Sequence, residues 1–413
     1  MLRKTDSSIA PVNLKIEPMN SKAMTPPIYM DHNATTPIDP RVLEVMQPFL
    51  GEQFGNASSN SHSYGWLAQS AVSKARKQVA SLLGCEPREV LWTSGATESN
   101  NMAILGVSRA LKGTKHHIIT QATEHKAVLE VCEAAQEWGA DVTVLKVNKD
   151  GLVNLSELEK AFRPDTVLVS IMGANNEVGT LQPVKEIAAL CKARKIIFHS
   201  DAAQSVGKVP LDLKEVSVDM LSISGHKIYA PKGVGALILR PTNRQFELKP
   251  IFFGGEQERG LRPGTLNVAG IVGLGMACQL AQESMTEESA RLRRFQQRFL
   301  QAICERFPQV KINGPVGEGR LCNNLSLSFP ELPPDQISLD LSGLAYSSGS
   351  ACNSASPMPS HVLKALGVED CLSRSTLRLG TGRFTDSKDV ETVIDKVLKM
   401  LDKAYAKATV RPL

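Results

Sequence analysis

The stretches KIIFHSDAAQS (195–205) and DMLSISGHKIYAPKG (219–233) each run from a short apolar segment into a cluster of polar side chains. Apolar runs of about four to eight residues, rich in Val, Ile and Leu, are typical of strands buried on both faces of a sheet. In open α/β sheets, ligands bind beyond the carboxyl ends of the strands. The residues from Asp201 and from Ser224 onward are therefore the first candidates for a functional site.

Similar runs alternate with helical patterns from residue 38 to about residue 275, which is typical of repeated βαβ units. Helices are expected over 63–83 and 126–138, each closed by a glycine that can adopt the left-handed conformation. The predicted fold class is α/β, with a large, doubly wound and mainly parallel sheet. Its expected strands are EVLWTS (89–94), HHIIT (116–120), DVTVLKV (141–147), TVLVSIMG (166–173), KIIFHSD (195–201), DMLSIS (219–224) and GALILR (235–240).

The chain of 413 residues is longer than one hydrophobic core normally supports, so a second domain is expected. We divide it into a disordered leader (1–27), a large domain (28–275) and a small α+β domain (276–413). Two long amphipathic helices are expected near 267–306, followed by two strands and a final helix from about 386. A segment at about 343–359, dense in Ser, Gly and Pro, is predicted to be a mobile loop.

Composition narrows the function classes. The chain is 42% apolar and 22% charged, with a net charge of +5 that is small for its length. Its basic residues are scattered, which argues against a nucleic-acid partner. The eight cysteines include no CxxC pair, which argues against a disulfide framework and favours a reducing compartment. No membrane span or secretory signal is present, so a cytoplasmic protein is expected; a transit peptide in the leader is the alternative.

Two strand ends suit an anionic cofactor. After EVLWTS, residues Ser94 to Thr97 would begin a helix, whose free N–H groups and positive dipole end suit a phosphate. The alternative is that SGATE merely caps the helix. Asp201 ends a buried strand, where a carboxylate normally needs a cationic partner such as a protonated pyridine nitrogen or a buried Arg. Gln204 lies close enough in sequence to offer its amide to the same ligand.

A lysine follows the next strand. Lys227 stands beside Gly225 and His226 at the end of DMLSIS. Desolvation or a nearby cation lowers the pKa of a lysine, which can then condense with an aldehyde. A solvated surface lysine is the alternative. Together with a carboxylate for a ring nitrogen and a helix end for a phosphate, Lys227 predicts a pyridoxal phosphate enzyme that acts on an amino acid.

The motifs TSGATESNN, TEHKAV, NNEVG, DAAQSVGK, SGHKIYAPKG, RPGTLN, SSGSAC and LRLGTGRFT follow one another along the chain. As a set they resemble the cysteine desulfurases, class V pyridoxal-phosphate enzymes of fold type I that feed iron–sulfur assembly and nitrogen fixation. The resemblance extends from YMDHNATTP (29–37) to the C-terminus. It implies a large sheet domain, a smaller α+β domain and a homodimer.

The resemblance also implies roles for individual residues. Lys227 would carry the cofactor as a Schiff base, Asp201 would pair with the ring nitrogen, and Gln204 would contact the phenolic oxygen. His125, which alone would be read as a helix cap, would stack on the ring and take part in proton transfer. Five residues would hold the phosphate, the last from the other subunit: Ala96, Thr97, Ser224, His226 and Thr265.

At the substrate end, the resemblance implies that Asn176, beside the cofactor, and Arg378 hold the carboxylate of the substrate. Arginine suits this task because its guanidinium binds a carboxylate through two hydrogen bonds. From residues alone, Arg378 is equally consistent with an exposed charge on a strand.

Cys352 lies in YSSGSACNSAS, among small and polar residues, whereas the other cysteines mostly lie in helix or strand patterns. An exposed thiol on a mobile loop is a plausible nucleophile. By the resemblance, it takes the sulfur of L-cysteine, leaving L-alanine and a persulfide for an acceptor protein such as an iron–sulfur scaffold. No intrinsic metal is expected, although Cys352 is a candidate transient ligand of a shared nascent cluster. Alternatives are a selenocysteine lyase, a class V aminotransferase or an inactive binding protein.

Overall fold

The computed structural model describes residues 26–240, 247–347 and 359–408. Its strands are β1 (Ile28–Tyr29), β2 (Val90–Thr93), β3 (His116–Gln121), β4 (Ala140–Leu145), β5 (Thr166–Ser170), β6 (Ile197–Asp201), β7 (Met220–Ser224), β8 (Gly235–Leu239), β9 (Lys311–Ile312), β10 (Asn324–Ser328), β11 (Leu344–Ala345) and β12 (Thr376–Gly380). Its α-helices are α1 (Pro40–Leu50), α2 (Ser63–Leu83), α3 (Ala96–Ala110), α4 (Lys126–Ala135), α5 (Leu155–Ala161), α6 (Val184–Ala193), α7 (Val268–Cys304), α8 (Pro334–Asp340), α9 (His361–Ala365), α10 (Asp370–Arg374) and α11 (Ser387–Ala408).

Seven of the described strands form one sheet in the order β2-β8-β7-β6-β5-β3-β4. All seven predicted strands are present, and the prediction of a mainly parallel sheet is confirmed. Only β8 among them runs antiparallel to its neighbours, β2 and β7. Because β8 reverses direction between them, β2 and β7 point the same way. The carboxyl ends of β2, β3, β5, β6 and β7 therefore lie along one edge.

Helices cover both faces of this sheet because its strands are apolar on both sides. One buried cluster joins β2, β5, β6 and β7 to α2 and the first half of α7. A second lies on the other face, beneath α3 and α4. The predicted end of α2 is confirmed: Gly84 caps it in the left-handed conformation, with φ of 67°. An added Cβ there would meet the Asp212 carboxylate at 2.0 Å, so only glycine fits.

The C-terminal part forms a separate hydrophobic cluster. The antiparallel sheet β12-β10-β9 packs against α11 and the end of α7, and Met30 from the beginning of the chain joins it. Strand β1 pairs in parallel with β11, so residues just after the leader belong to this part of the molecule. No helix among the described residues is long and apolar enough to cross a membrane.

One predicted element is wrong. The two helices expected near 267–306 are a single helix of 37 residues, α7. No Gly or Pro occurs between Gly275 and Cys304, so nothing interrupts the helical hydrogen bonds. Residues Val268 to Leu280 pack in the first cluster and Phe299 and Ile303 in the C-terminal one. The proposed boundary at 275/276 thus falls within a helix that joins both clusters; the division into domains stays a prediction.

Candidate active site

A cavity of about 500 Å³ opens at the edge where the parallel strands end. Its size is within the range of small-molecule sites, about 300–1,000 Å³. The lining residues follow β2, β3, β5, β6 and β7, in accord with the rule for open α/β sheets. Among the predicted site residues, the cavity is lined by Ala96, Thr97, His125, Asn176, Asp201, Gln204, Ser224, His226, Lys227 and Arg378.

Lys227 ends a single 3-10 turn, Gly225–Lys227, that follows β7 directly. Its ammonium donates to the backbone carbonyls of Asn33 at 2.6 Å and Ala34 at 2.7 Å. These carbonyls belong to the NATTP segment, which sequence reasoning did not assign to the site. These two backbone carbonyls hold the Lys227 amine at the cavity.

Asp201, the last residue of β6, is 7% exposed. Its carboxylate accepts hydrogen bonds from the Asn100 side chain at 2.7 Å and the Ala203 backbone N–H at 2.9 Å. Both donors are neutral, so the negative charge is oriented rather than cancelled by them. Gln204 donates its amide to the Asn33 carbonyl at 2.8 Å, which ties this turn to the segment that holds Lys227.

Helix α3 begins in the cavity wall, as predicted. Gly95 precedes it with φ of 153°, a conformation that other residues rarely adopt. The capping alternative is also present, since the Glu98 carboxylate accepts from the Ser94 N–H at 2.9 Å. The remaining N–H groups of the first turn lack intrahelical acceptors and are suited to an anion.

His226 and Ser224 line the same cavity as this helix start. Burial, with a smaller effect of Lys227 and Lys232, lowers the pKa of His226 to about 4. The imidazole is therefore neutral at physiological pH. It is hydrogen-bonded to the Thr35 hydroxyl at 3.0 Å, which fixes the ring orientation.

His125 lies at the boundary between a helix and the cavity. It caps α4, its Nδ1 accepting from the Ala127 N–H at 3.1 Å, and it lines the cavity. Glu124, the preceding residue, is fully buried, and burial raises its pKa to about 8. Its carboxyl accepts from Gln121 and from the Met172 N–H, at 2.9 and 2.6 Å.

Arg378 lies on β12 and is 1% exposed, so it is not a surface charge. Its guanidinium donates to Asp31 at 2.7 Å, to the Ser347 hydroxyl at 2.9 Å and to the Asn176 carbonyl at 3.2 Å. The Nε atom of Arg378 is buried and has no hydrogen-bond partner within the described structure. A buried donor in this state needs an acceptor, which a ligand carboxylate would supply.

Comparison with known proteins fits this geometry. Residues 28–393 match the family model of aminotransferase class V. A rat protein named cysteine desulfurase is 47% identical over 92% of this chain and 84% of its own length. The chain belongs to the cysteine desulfurases. A NifS-like protein of known structure shares the fold with a TM-score of 0.84 and 37% identity, over 91% of this chain and 99% of its own. A structure described as SspA in complex with cysteine has a TM-score of 0.75 and 38% identity, over 85% and 98%.

Cysteine desulfurases depend on pyridoxal phosphate, and the residues of this cavity fit that cofactor. An oriented carboxylate, Asp201, suits a protonated ring nitrogen, and the start of α3 beside Ser224 suits a phosphate. The amine of Lys227 suits the aldehyde of the cofactor. No group of three or more His, Cys, Asp or Glu that could hold a metal ion occurs in the described ranges.

Of the predicted site residues that the structure describes, Thr265 does not line the cavity of this desulfurase. Thr265 is exposed and lines a different cleft, with Phe253 and Arg262. Cys352 lies outside the described residues. Conversely, sequence reasoning missed Asp31, Asn33, Asn100 and Glu124. The signal available in the sequence was that each of these polar residues lies in or next to one of the motifs. Which partner each residue contacts is shown only by the tertiary structure.

Proposed function

We propose that this desulfurase holds pyridoxal phosphate through Lys227 and removes sulfur from L-cysteine at the cavity, giving L-alanine. The observation that carries the proposal is the convergence of three features around one cavity: the Lys227 amine, the Asp201 carboxylate and the start of α3. When bound, the cofactor supplies an electron sink that weakens the bonds at the α-carbon of the substrate.

The residues have distinct tasks in this proposal. Asp201 keeps the ring nitrogen protonated, and Gln204 donates to the phenolic oxygen. The phosphate is held by the Ala96 N–H, Thr97, Ser224 and neutral His226. Lys227, released when substrate binds, accepts and returns a proton at the α-carbon, and His125 stacks on the ring and assists proton transfer.

At the substrate end, Arg378 and Asn176 hold the carboxylate of cysteine. Support comes from the buried, unpartnered Nε of Arg378 and from the contact between Arg378 and the Asn176 carbonyl. With the carboxylate of cysteine held at this point, its amino group is directed toward Lys227 and its thiol is left for Cys352.

Sulfur transfer is assigned to Cys352. Its thiolate forms an S–S bond with the substrate sulfur while the C–S bond breaks. The electron pair of that bond stays with the carbon chain, which is protonated and leaves as L-alanine. The persulfide then passes to an acceptor protein, for which an iron–sulfur scaffold is our candidate; in that complex Cys352 is also a candidate transient cluster ligand.

A second copy of the chain is proposed to complete the phosphate site with Thr265. Support comes from the position of Thr265, which is exposed and lines a neighbouring cleft that shares Glu98 with the Lys227 cavity. It lies beside Phe253, which is 74% exposed in the single chain. Large exposed apolar side chains of this kind favour an interface.

The test is product analysis with two variants. The wild-type protein is expected to show visible absorption from bound cofactor and to convert L-cysteine to alanine and sulfide in the presence of a reductant. Lys227→Ala should lose that absorption, and Cys352→Ala should keep it but lose alanine formation. A 2-oxo acid product, or full activity of Cys352→Ala, would contradict the proposal.

A further inference from the structure

Lys208 is a further lysine next to the site, four residues beyond Gln204. Its side chain is partly buried and reaches two segments of backbone that carry site residues. The ammonium donates to the carbonyl of Gln204 at 3.2 Å and to the carbonyl of Lys227 at 3.0 Å. It thus joins the turn after β6 to the turn after β7.

We propose that Lys208 is a positioning residue for Lys227: its ammonium binds the backbone carbonyl of Lys227 and adds a second positive charge to the surroundings of the site. The inference rests on the proposed function, since it concerns the residue that holds the cofactor.

The geometry supports a positioning role because the link is made to Lys227 itself. A lysine ammonium has three donors, and two of them are used on carbonyls that lie in turns rather than in the sheet. The backbone of Lys208 is also held in place, since the Ser289 hydroxyl of α7 donates to the Lys208 carbonyl at 3.1 Å. Small displacements of a reacting group are costly, with about 100-fold lost for an error near 1 Å.

The charge of Lys208 acts in the same place. Its positive charge acts on the residue next to Lys227, since Lys208, with Lys227 and Lys232, adds to the effect of burial in lowering the pKa of His226. Burial lowers the pKa of Lys208 itself to about 8. Titratable and charged groups face this ammonium from the surrounding elements: Glu288 of α7, Arg383, Cys322, His32 and His226.

A structural role alone is the competing explanation, since a buried cation with two acceptors also stabilises the fold. The two explanations differ in the visible absorption of the bound cofactor, whose pH titration reports the charge around the Lys227 amine. Removing a neighbouring positive charge stabilises the protonated form and raises the titration midpoint. Loss of stability alone leaves the midpoint unchanged.

The experiment compares Lys208→Met, Lys208→Gln and Lys208→Arg in the full chain with bound cofactor. Lys192→Met, an exposed lysine on α6, is the matched control. For Met and Gln we expect the midpoint to rise by about one pH unit and kcat to fall at least about tenfold, with KM changed by less than about threefold. The Lys208→Arg variant retains the positive charge, so its titration midpoint should stay close to that of the wild-type protein.

Wild-type midpoint and kcat in Lys208→Met, or equal shifts in the Arg and Gln variants, would overturn the inference. Should Lys208→Met not fold, the Gln and Arg variants provide the same comparison. If the wild-type protein shows no visible absorption of bound cofactor, or Lys227→Ala keeps it, the proposed function fails instead, so the two failures are distinguishable.

Discussion

Arg378 and Asp31 form a buried ion pair of 2.7 Å between β12 and the segment that follows β1. Asp31 also accepts from the Ser347 hydroxyl at 2.9 Å, and Ser347 accepts from Arg378, so the three side chains form a closed triangle. Asp31, from the segment after β1, thus orients the Arg378 guanidinium that we assign to substrate binding. The arrangement leaves Nε, and not the paired Nη2, for a ligand.

Asp31→Asn should destabilise the protein by about 3 kcal/mol, because it leaves the Arg378 charge buried without its counterion. Urea unfolding at neutral pH measures this. Glu391→Gln removes the partner of Arg298 in an exposed pair and should cost less than about 1 kcal/mol. Equal losses in the two variants would show that Asp31 does not neutralise Arg378.

Arg378→Lys should raise KM for L-cysteine by about 10- to 100-fold while the cofactor absorption is retained, since a lysine has no second N–H group to replace the Nε donor left for the carboxylate. Steady-state kinetics measure the change. Cysteine methyl ester, which has no carboxylate, serves as the control substrate and should be affected by less than about threefold. A comparable loss with the ester would remove Arg378 from carboxylate binding.

Asp201→Asn should lower kcat by at least about 100-fold with cofactor still bound, because an amide does not keep the ring nitrogen protonated. Asp219→Asn is the matched control. Asp219 is also buried, and its carboxylate accepts from the Phe198 N–H at 2.9 Å, but it precedes β7 at the opposite edge of the sheet. Single-turnover alanine formation should be near normal in the control, and a similar drop in both variants would contradict the role of Asp201.

Glu124 predicts a pH dependence of stability. Burial raises its pKa from the usual 4.5 to about 8, so the folded protein binds a proton that the unfolded chain releases in that range. Stability contributed by this site therefore falls as pH rises from about 4.5 to about 8. Glu124→Gln, which cannot ionise, should gain stability over wild type between pH 5 and pH 8.

Urea unfolding at those two pH values tests the Glu124 prediction. Glu130→Gln, an exposed change on α4, should track the wild-type protein at both. A difference between wild type and Glu124→Gln that is the same at both pH values would mean that Glu124 is ionised in the folded state.

Apolar runs and motifs predicted the fold well, because a strand buried on both faces must be apolar along its whole length. The seven strands and the glycine end of α2 follow from local sequence. The prediction of two helices near 267–306 was wrong, because α7 is continuous. A helix continues until its hydrogen bonds are interrupted, and the second half of α7 contains no Gly or Pro that would interrupt them.

The sequence by itself determined that this chain forms a doubly wound sheet and has a lysine, Lys227, directly after a buried strand. Local sequence patterns suffice for these two features, since the residues of a buried strand and of its end are consecutive in the chain. Only the tertiary structure decided the partners: the Asn33 and Ala34 carbonyls on Lys227, Asn100 on Asp201, and Asp31 on Arg378. These contacts join residues far apart in the chain, and packing rather than local preference brings them within hydrogen-bond distance.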